Sequence, residues 1–102
     1  MSSKPYDSDP AKEAENLRRH GYVFDDGFRV LVQDPGWLMT WMDQRQDYLE
    51  DRWNTLGSLS DRRDIVLNVT WTERGDAVRI ISVRNATAAE RRRYAQRHDR
   101  PR

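Results

Sequence analysis

The spacing of apolar residues changes once along the chain, from a helical period before residue 36 to an alternating one after it. In the first part, Asp9 followed by Pro10 pairs an N-cap residue with a first-turn proline, whose missing N–H costs nothing there. This predicts a helix from Pro10 to about His20, stopped by Gly21, which accepts the left-handed conformation that ends many helices. Its apolar stripe is only Ala11, Ala14 and Leu17, so the helix is expected to lie across a sheet rather than be enclosed. A second helix is predicted from about Asp25 to Gln33, turning Phe24, Phe28, Leu31 and Val32 inward. Asp34-Pro35-Gly36 ends it, because proline disfavours a helical residue before it and glycine supplies the turn.

Beyond that point alternation takes over. Trp37, Met39 and Trp41 fall on one side of a short strand and Leu38, Thr40 and Met42 on the other. Asp43 to Tyr48 is polar and reads as a loop, and a second strand follows from about Asp51 to Gly57, with a turn over Ser58 to Arg63. Ile65 to Thr72 is apolar on both faces, which marks a central strand. Arg74-Gly75-Asp76 is a tight hairpin signal in which Gly75 takes the positive φ, and Ala77 to Arg84 is the fourth strand. Thr87-Ala88-Ala89-Glu90 has the capping-box spacing and opens a last helix running to about Arg97. A short strand near Pro5-Tyr6 can pair at the sheet edge. The expected fold class is α+β: two N-terminal helices, an antiparallel sheet of about four strands, and a C-terminal helix, in one domain spanning 1–102.

Composition narrows the picture. Hydrophobic residues make up 36% of the chain and charged residues 34%, against typical shares of about 45–50% and about 25%, so the core is lean. Four Trp, four Tyr and two Phe offset this, because aromatic side chains bury large areas. On this reading Trp37, Trp41, Trp53 and Trp71 supply much of the strand packing, and at least three of them should be substantially buried. With no cysteine there is neither a disulfide framework nor a thiolate metal site. No segment approaches the roughly 18 apolar residues of a membrane span, and a cytoplasmic location is expected. The net charge of +1 conceals an asymmetry. Residues 79–102 contain eight of the 18 Lys and Arg residues but two of the 17 Asp and Glu, a net +6 against −5 for the rest. Such a basic end can be a solvated tail, or it can face phosphates or an acidic protein.

Three segments in order, DPAKEAENLRRHG, EDRWNTLG and TERGDAVRIISVRNATAAERRRY, resemble the BrnT toxin family. The resemblance covers nearly the whole chain and is most specific in the last segment, where hairpin, strand and helix cap follow in fixed order. The chain departs from the family pattern over Met42 to Leu49 and in the WLMTWM stretch. The resemblance implies a RelE-like ribonuclease fold and the toxin of a type II toxin–antitoxin pair. It also implies neutralisation by a BrnA-like antitoxin in a heterotetramer, with operator DNA reached only through the antitoxin. The alternative reading is a non-catalytic binding module whose basic C-terminal surface holds an acidic protein or a nucleic acid.

Cutting RNA without a metal or other cofactor requires a base for the 2′-hydroxyl, a cation for the phosphorane and an acid for the leaving oxygen. Arginine suits the second role, since its planar fork pairs bidentately with phosphate oxygens. Arg52 and Arg84 are the candidates, with Glu50 as the carboxylate sharing a face with Arg52 by the two-residue period. The competing role for these arginines is a salt bridge to one of the many carboxylates. His20, at the end of the first helix, either complements the helix dipole or serves as base or acid. His98 reads as a solvated tail residue. Tyr94 either anchors the last helix or offers its hydroxyl to RNA. Arg79, Arg91, Arg92 and Arg93 are candidates for RNA binding. In a regular strand Arg79 and Arg84 point opposite ways, so both reach one site only if a bulge or the strand end intervenes. Glu73, Arg74 and Asp76 are assigned to the hairpin turn. No phosphate-binding loop, HExxH pair or calcium loop is present, and two distant histidines do not make a zinc site.

Overall fold

The computed structural model describes residues 5–33, 35–43 and 50–97. The expected loop over Asp43 to Tyr48 falls almost wholly outside these residues, as does His98. Helix α1 spans Pro10–His20. Asp9 caps it by accepting from the Ala11 N–H at 2.9 Å, and Gly21 ends it at φ +79°, donating to the Leu17 carbonyl. Its expected apolar stripe is not what docks it. Ala11, Ala14 and Leu17 are exposed, and the one buried residue is Asn16. The reason lies in its neighbour: α1 packs against β4 (Ala77–Asn85), an edge strand whose outward backbone groups need polar partners.

Helix α2, Phe24–Leu31, buries Phe24, Gly27 and Val30, while Phe28 and Leu31 are half-buried and Val32 is exposed. Gly27 is required by proximity: a Cβ there would lie 2.5 Å from Val83 Cγ2 and 3.2 Å from Val69 Cγ1. After a 3₁₀ turn at Pro35–Trp37 come β1 (Met39–Met42), β2 (Trp53–Leu59), β3 (Arg62–Arg74) and β4, an antiparallel meander in the order β1-β2-β3-β4. β2 starts and ends two residues later than the sequence pattern predicts and β3 is longer, because pairing continues to Leu59 and Arg62 and leaves only Ser60 and Asp61 as the turn. Helix α3 spans Ala88–Gln96 behind the expected capping box of Thr87 and Glu90.

Helices α1 and α2 cover one face of the sheet. Phe24, Val30, Leu67, Val69, Ile80 and Val83 form the main core there, joined by Tyr6, whose ring packs on Phe28 and whose hydroxyl donates to Asp25. On the opposite face α3 brings Tyr94 onto Leu56 and Val66 in a second, smaller cluster. The tryptophans contribute less than expected. Trp41, Trp53 and Trp71 are half-buried, with Trp53 stacked on Trp71, and Trp37 is exposed because it lies in the 3₁₀ turn before β1 rather than in the strand. The anticipated edge contact near residue 6 is a parallel bridge between Asp7 and Arg79.

Candidate active site

A bulge in β4 decides which arginines share a face. Thr70 pairs with Ser82 but Trp71 pairs with Ile80, so Ile81 is an extra residue. Val78, Ile80 and Val83 therefore face the helices, and Arg79, Ser82 and Arg84 all lie opposite the polar face of β3 at Thr72, Thr70 and Asn68. The bulge supplies the condition under which Arg79 and Arg84 can share a side.

The two arginines nonetheless serve different places. Arg79 enters a cleft of about 340 Å³ between α1, the β4 bulge, the β3–β4 hairpin and the start of β2; Glu50, Arg52, Arg74, His20 and Ser82 line it as well. Glu50 lies at the centre, with one oxygen 3.8 Å from Arg52 and the other 3.8 Å from Arg74. The Arg79 guanidinium donates to Asp7 at 2.7 Å. Five cationic lining residues (Lys12, Arg19, Arg52, Arg74, Arg79) outnumber three carboxylates (Asp9, Glu15, Glu50), so the cleft favours an anion. Helix α1 contributes His20 from its last turn, and its position is fixed by the Asn16 contact with β4.

Arg84 instead makes a bidentate pair with Glu90 at 2.8 and 3.1 Å, and Asn68 donates to the same carboxylate at 3.0 Å. Burial acts to raise the Glu90 pKa, but the hydrogen bonds from Arg84 and the Thr87 N–H, the Arg84 charge and Asn68 outweigh it, bringing the pKa down to about 2. Tyr94 is buried; its hydroxyl donates to the Trp37 carbonyl at 2.8 Å and accepts from the Ser58 N–H at 3.3 Å. Arg91 and Arg92 line a separate groove by α3, and the Arg93 guanidinium lies 4.9 Å from the Trp41 ring centre. Of the nine candidates, His20, Glu50, Arg52 and Arg79 thus come together in the cleft, and Arg84, Tyr94, Arg91, Arg92 and Arg93 do not line it. Arg74 and Asp7 were not among the candidates. Arg74 was legible from β3 alone, since it follows Thr72 by two residues on the polar face beside Arg52. Among the described residues no group of three or more His, Asp or Glu is arranged to hold a metal ion, and no helix is long and apolar enough to cross a membrane.

The fold and cleft define a small α+β protein with an arginine-lined cleft at a sheet edge. Residues 9–90 match the family described as the ribonuclease toxin, BrnT, of type II toxin–antitoxin systems, and the chain belongs to that family. A toxin of this type has an antitoxin as its partner. No curated protein matches the chain.

Proposed function

We propose that this chain is a single-domain, metal-independent endoribonuclease toxin that arrests translation by cutting RNA in the cytoplasm, with the cleft between α1 and β4 as its active site. The observation that carries this reading is the gathering of Glu50, Arg52, Arg74, Arg79 and His20 around one cleft of about 340 Å³, with room for a phosphate and its flanking sugars. In this reading Glu50 takes the proton of the ribose 2′-hydroxyl, whose oxygen attacks the adjacent phosphorus. Arg52, Arg74 and Arg79 stabilise the phosphorane charge, shifting from their carboxylate partners to the phosphate oxygens. The bond from phosphorus to the 5′-oxygen breaks, His20 supplies the proton to that oxygen, and the products are a 2′,3′-cyclic phosphate and a 5′-hydroxyl. Arg84 and Tyr94 hold α3 in place rather than touch the reacting atoms. A BrnA-like antitoxin, through which alone operator DNA is reached, covers this basic surface in a heterotetramer.

Induced expression in bacteria tests the reading. Growth arrest relieved by the neighbouring open reading frame, and RNA cleavage in EDTA that leaves cyclic phosphate ends and is lost in Glu50→Gln, are the expected results. Normal growth at high soluble expression, with intact RNA, would overturn it in favour of a non-catalytic binding module.

A further inference from the structure

A second groove, of about 460 Å³, lies between α3 and the β2–β3 turn and is lined by Arg63, Arg91, Arg92 and Arg97. Its arginines differ from those of the cleft. In the cleft Arg52 and Arg74 face Glu50, Arg79 faces Asp7 and Arg19 faces Glu15. In the groove, among the described residues, no carboxylate lies within ion-pair distance of any of the four. Asp64, which also lines it, is held by Arg62 at 3.1 Å. Among the described residues the groove thus gathers four arginines around the single carboxylate of Asp64, and their mutual repulsion is a cost that an anionic ligand relieves.

At the groove's margin stands Trp37, 45% exposed, with the guanidinium groups of Arg63 and Arg97 at 5.0 and 5.7 Å from its ring centre. Its backbone is fixed by the Tyr94 hydroxyl. An exposed, anchored indole among arginines is what a nucleotide recognises: the ring stacks on a base while the planar forks take phosphate oxygens. An acidic peptide would use the arginines alone. Thr72, opposite the cleft's Arg79, is six residue steps along β3 from Val66 in the groove, which is about 20 Å at roughly 3.3 Å per residue.

We infer that this groove is a second binding site for the phosphodiester backbone of single-stranded RNA, engaging the substrate about 20 Å from the cleft. The inference rests on the reading of RNA as substrate, not on the assignment of catalytic residues. The test uses the full chain and a fluorescent 2′-O-methyl RNA of about 30 nucleotides, which lacks the attacking hydroxyl and stays intact, with binding followed by anisotropy between about 50 and 200 mM salt. The double variant Arg91→Ala, Arg92→Ala should bind about tenfold more weakly, with a salt slope smaller by about 1.4, since each phosphate contact on a single strand contributes about 0.7. Trp37→Leu should weaken binding without changing the slope, and both variants should keep the parent's fold by circular dichroism and melting temperature.

Parental affinity and slope for the long RNA in the double variant would overturn the inference. So would failure of the parent to bind it, or loss of antitoxin binding with RNA binding intact, which would make the groove a protein interface. Failure of the ribonuclease reading is distinguishable, because it would abolish growth arrest and cleavage while leaving the groove-dependent affinity in place.

Discussion

Asn16 completes the edge of the sheet at Val83. Its side-chain oxygen accepts from the Val83 N–H at 2.9 Å, and its amide nitrogen donates to the Val83 carbonyl at 2.9 Å and to the Tyr22 carbonyl at the same distance. One amide thus imitates a strand neighbour and blunts an edge that would otherwise be open to pairing. Together with the Asp7 bridge further along β4, it fixes α1 and hence the wall of the cleft. Asn16→Ala should cost about 3 kcal/mol in urea unfolding, because it leaves three backbone groups buried without partners, each worth roughly 1–3 kcal/mol before relaxation. A loss below about 1 kcal/mol would show that another contact docks α1.

Gly27→Ala sets two effects against each other. Alanine is favoured over glycine in a helix by about 1 kcal/mol, but its Cβ would sit 2.5 Å from a methyl of the fully buried Val83. Overpacking of this kind costs about 1–3 kcal/mol, so the variant should be less stable than the parent. Pairing it with Val83→Ala should recover part of the loss. Independent, additive effects of the two changes would refute the contact.

Local signals carried most of the fold, and tertiary demands account for the rest. The caps of α1 and α3 and the hairpin at Gly75 depend on residues within one turn, so Asp9, Pro10, Gly21, Thr87 and Glu90 announce them. The docking of α1 by Asn16 was not legible, because an asparagine in a polar helix gives no hint that a strand edge waits beside it. Nor was the bulge at Ile81: strict alternation through Ile80 and Ile81 assigns every residue on one side of it to the wrong face. In the site, Glu50 and Arg52 were legible from their two-residue spacing. Arg84 looked equally available, and only the proximity of Glu90 on α3 distinguishes it from Arg79.

Acid should loosen α3. Glu90 titrates near 2 in the folded chain against about 4.5 ordinarily, so its pairing contributes stability in full above the ordinary value and loses it as pH falls from about 5 toward 2. The shift corresponds to about 3 kcal/mol. Glu90→Gln should lower stability at pH 7 and flatten this part of the pH profile, as followed by thermal melting. A parental slope between pH 5 and 3 in the glutamine variant would assign the acid sensitivity to other carboxylates.

Tyr94→Phe tests whether the phenol anchors or reacts. Its hydroxyl joins Trp37 to Ser58 at the base of α3, so its removal should cost about 1–2 kcal/mol and leave RNA cleavage near the parental rate. A cleavage rate reduced a hundredfold at parental stability would make the hydroxyl a reacting group.

Lysine substitutions separate the two classes of arginine. Lysine keeps the charge but loses the fork. Arg52 sits at the cleft beside Glu50, and in Arg52→Lys the phosphorane would lose one bidentate contact; removal of a single charge-stabilising donor typically costs about 10²–10³ in rate. Cleavage and growth arrest should therefore fall steeply while the melting temperature stays within a degree or two of the parent's. Arg84→Lys should do the reverse. Its fork holds both oxygens of the partly buried Glu90, so the variant should melt lower, by about 1–2 kcal/mol of stability, and cut RNA at close to the parental rate. Measuring melting, cleavage and antitoxin binding on both variants distinguishes the roles. A fully active Arg52→Lys beside an inactive but stable Arg84→Lys would move the phosphate site from the cleft to the face under α3.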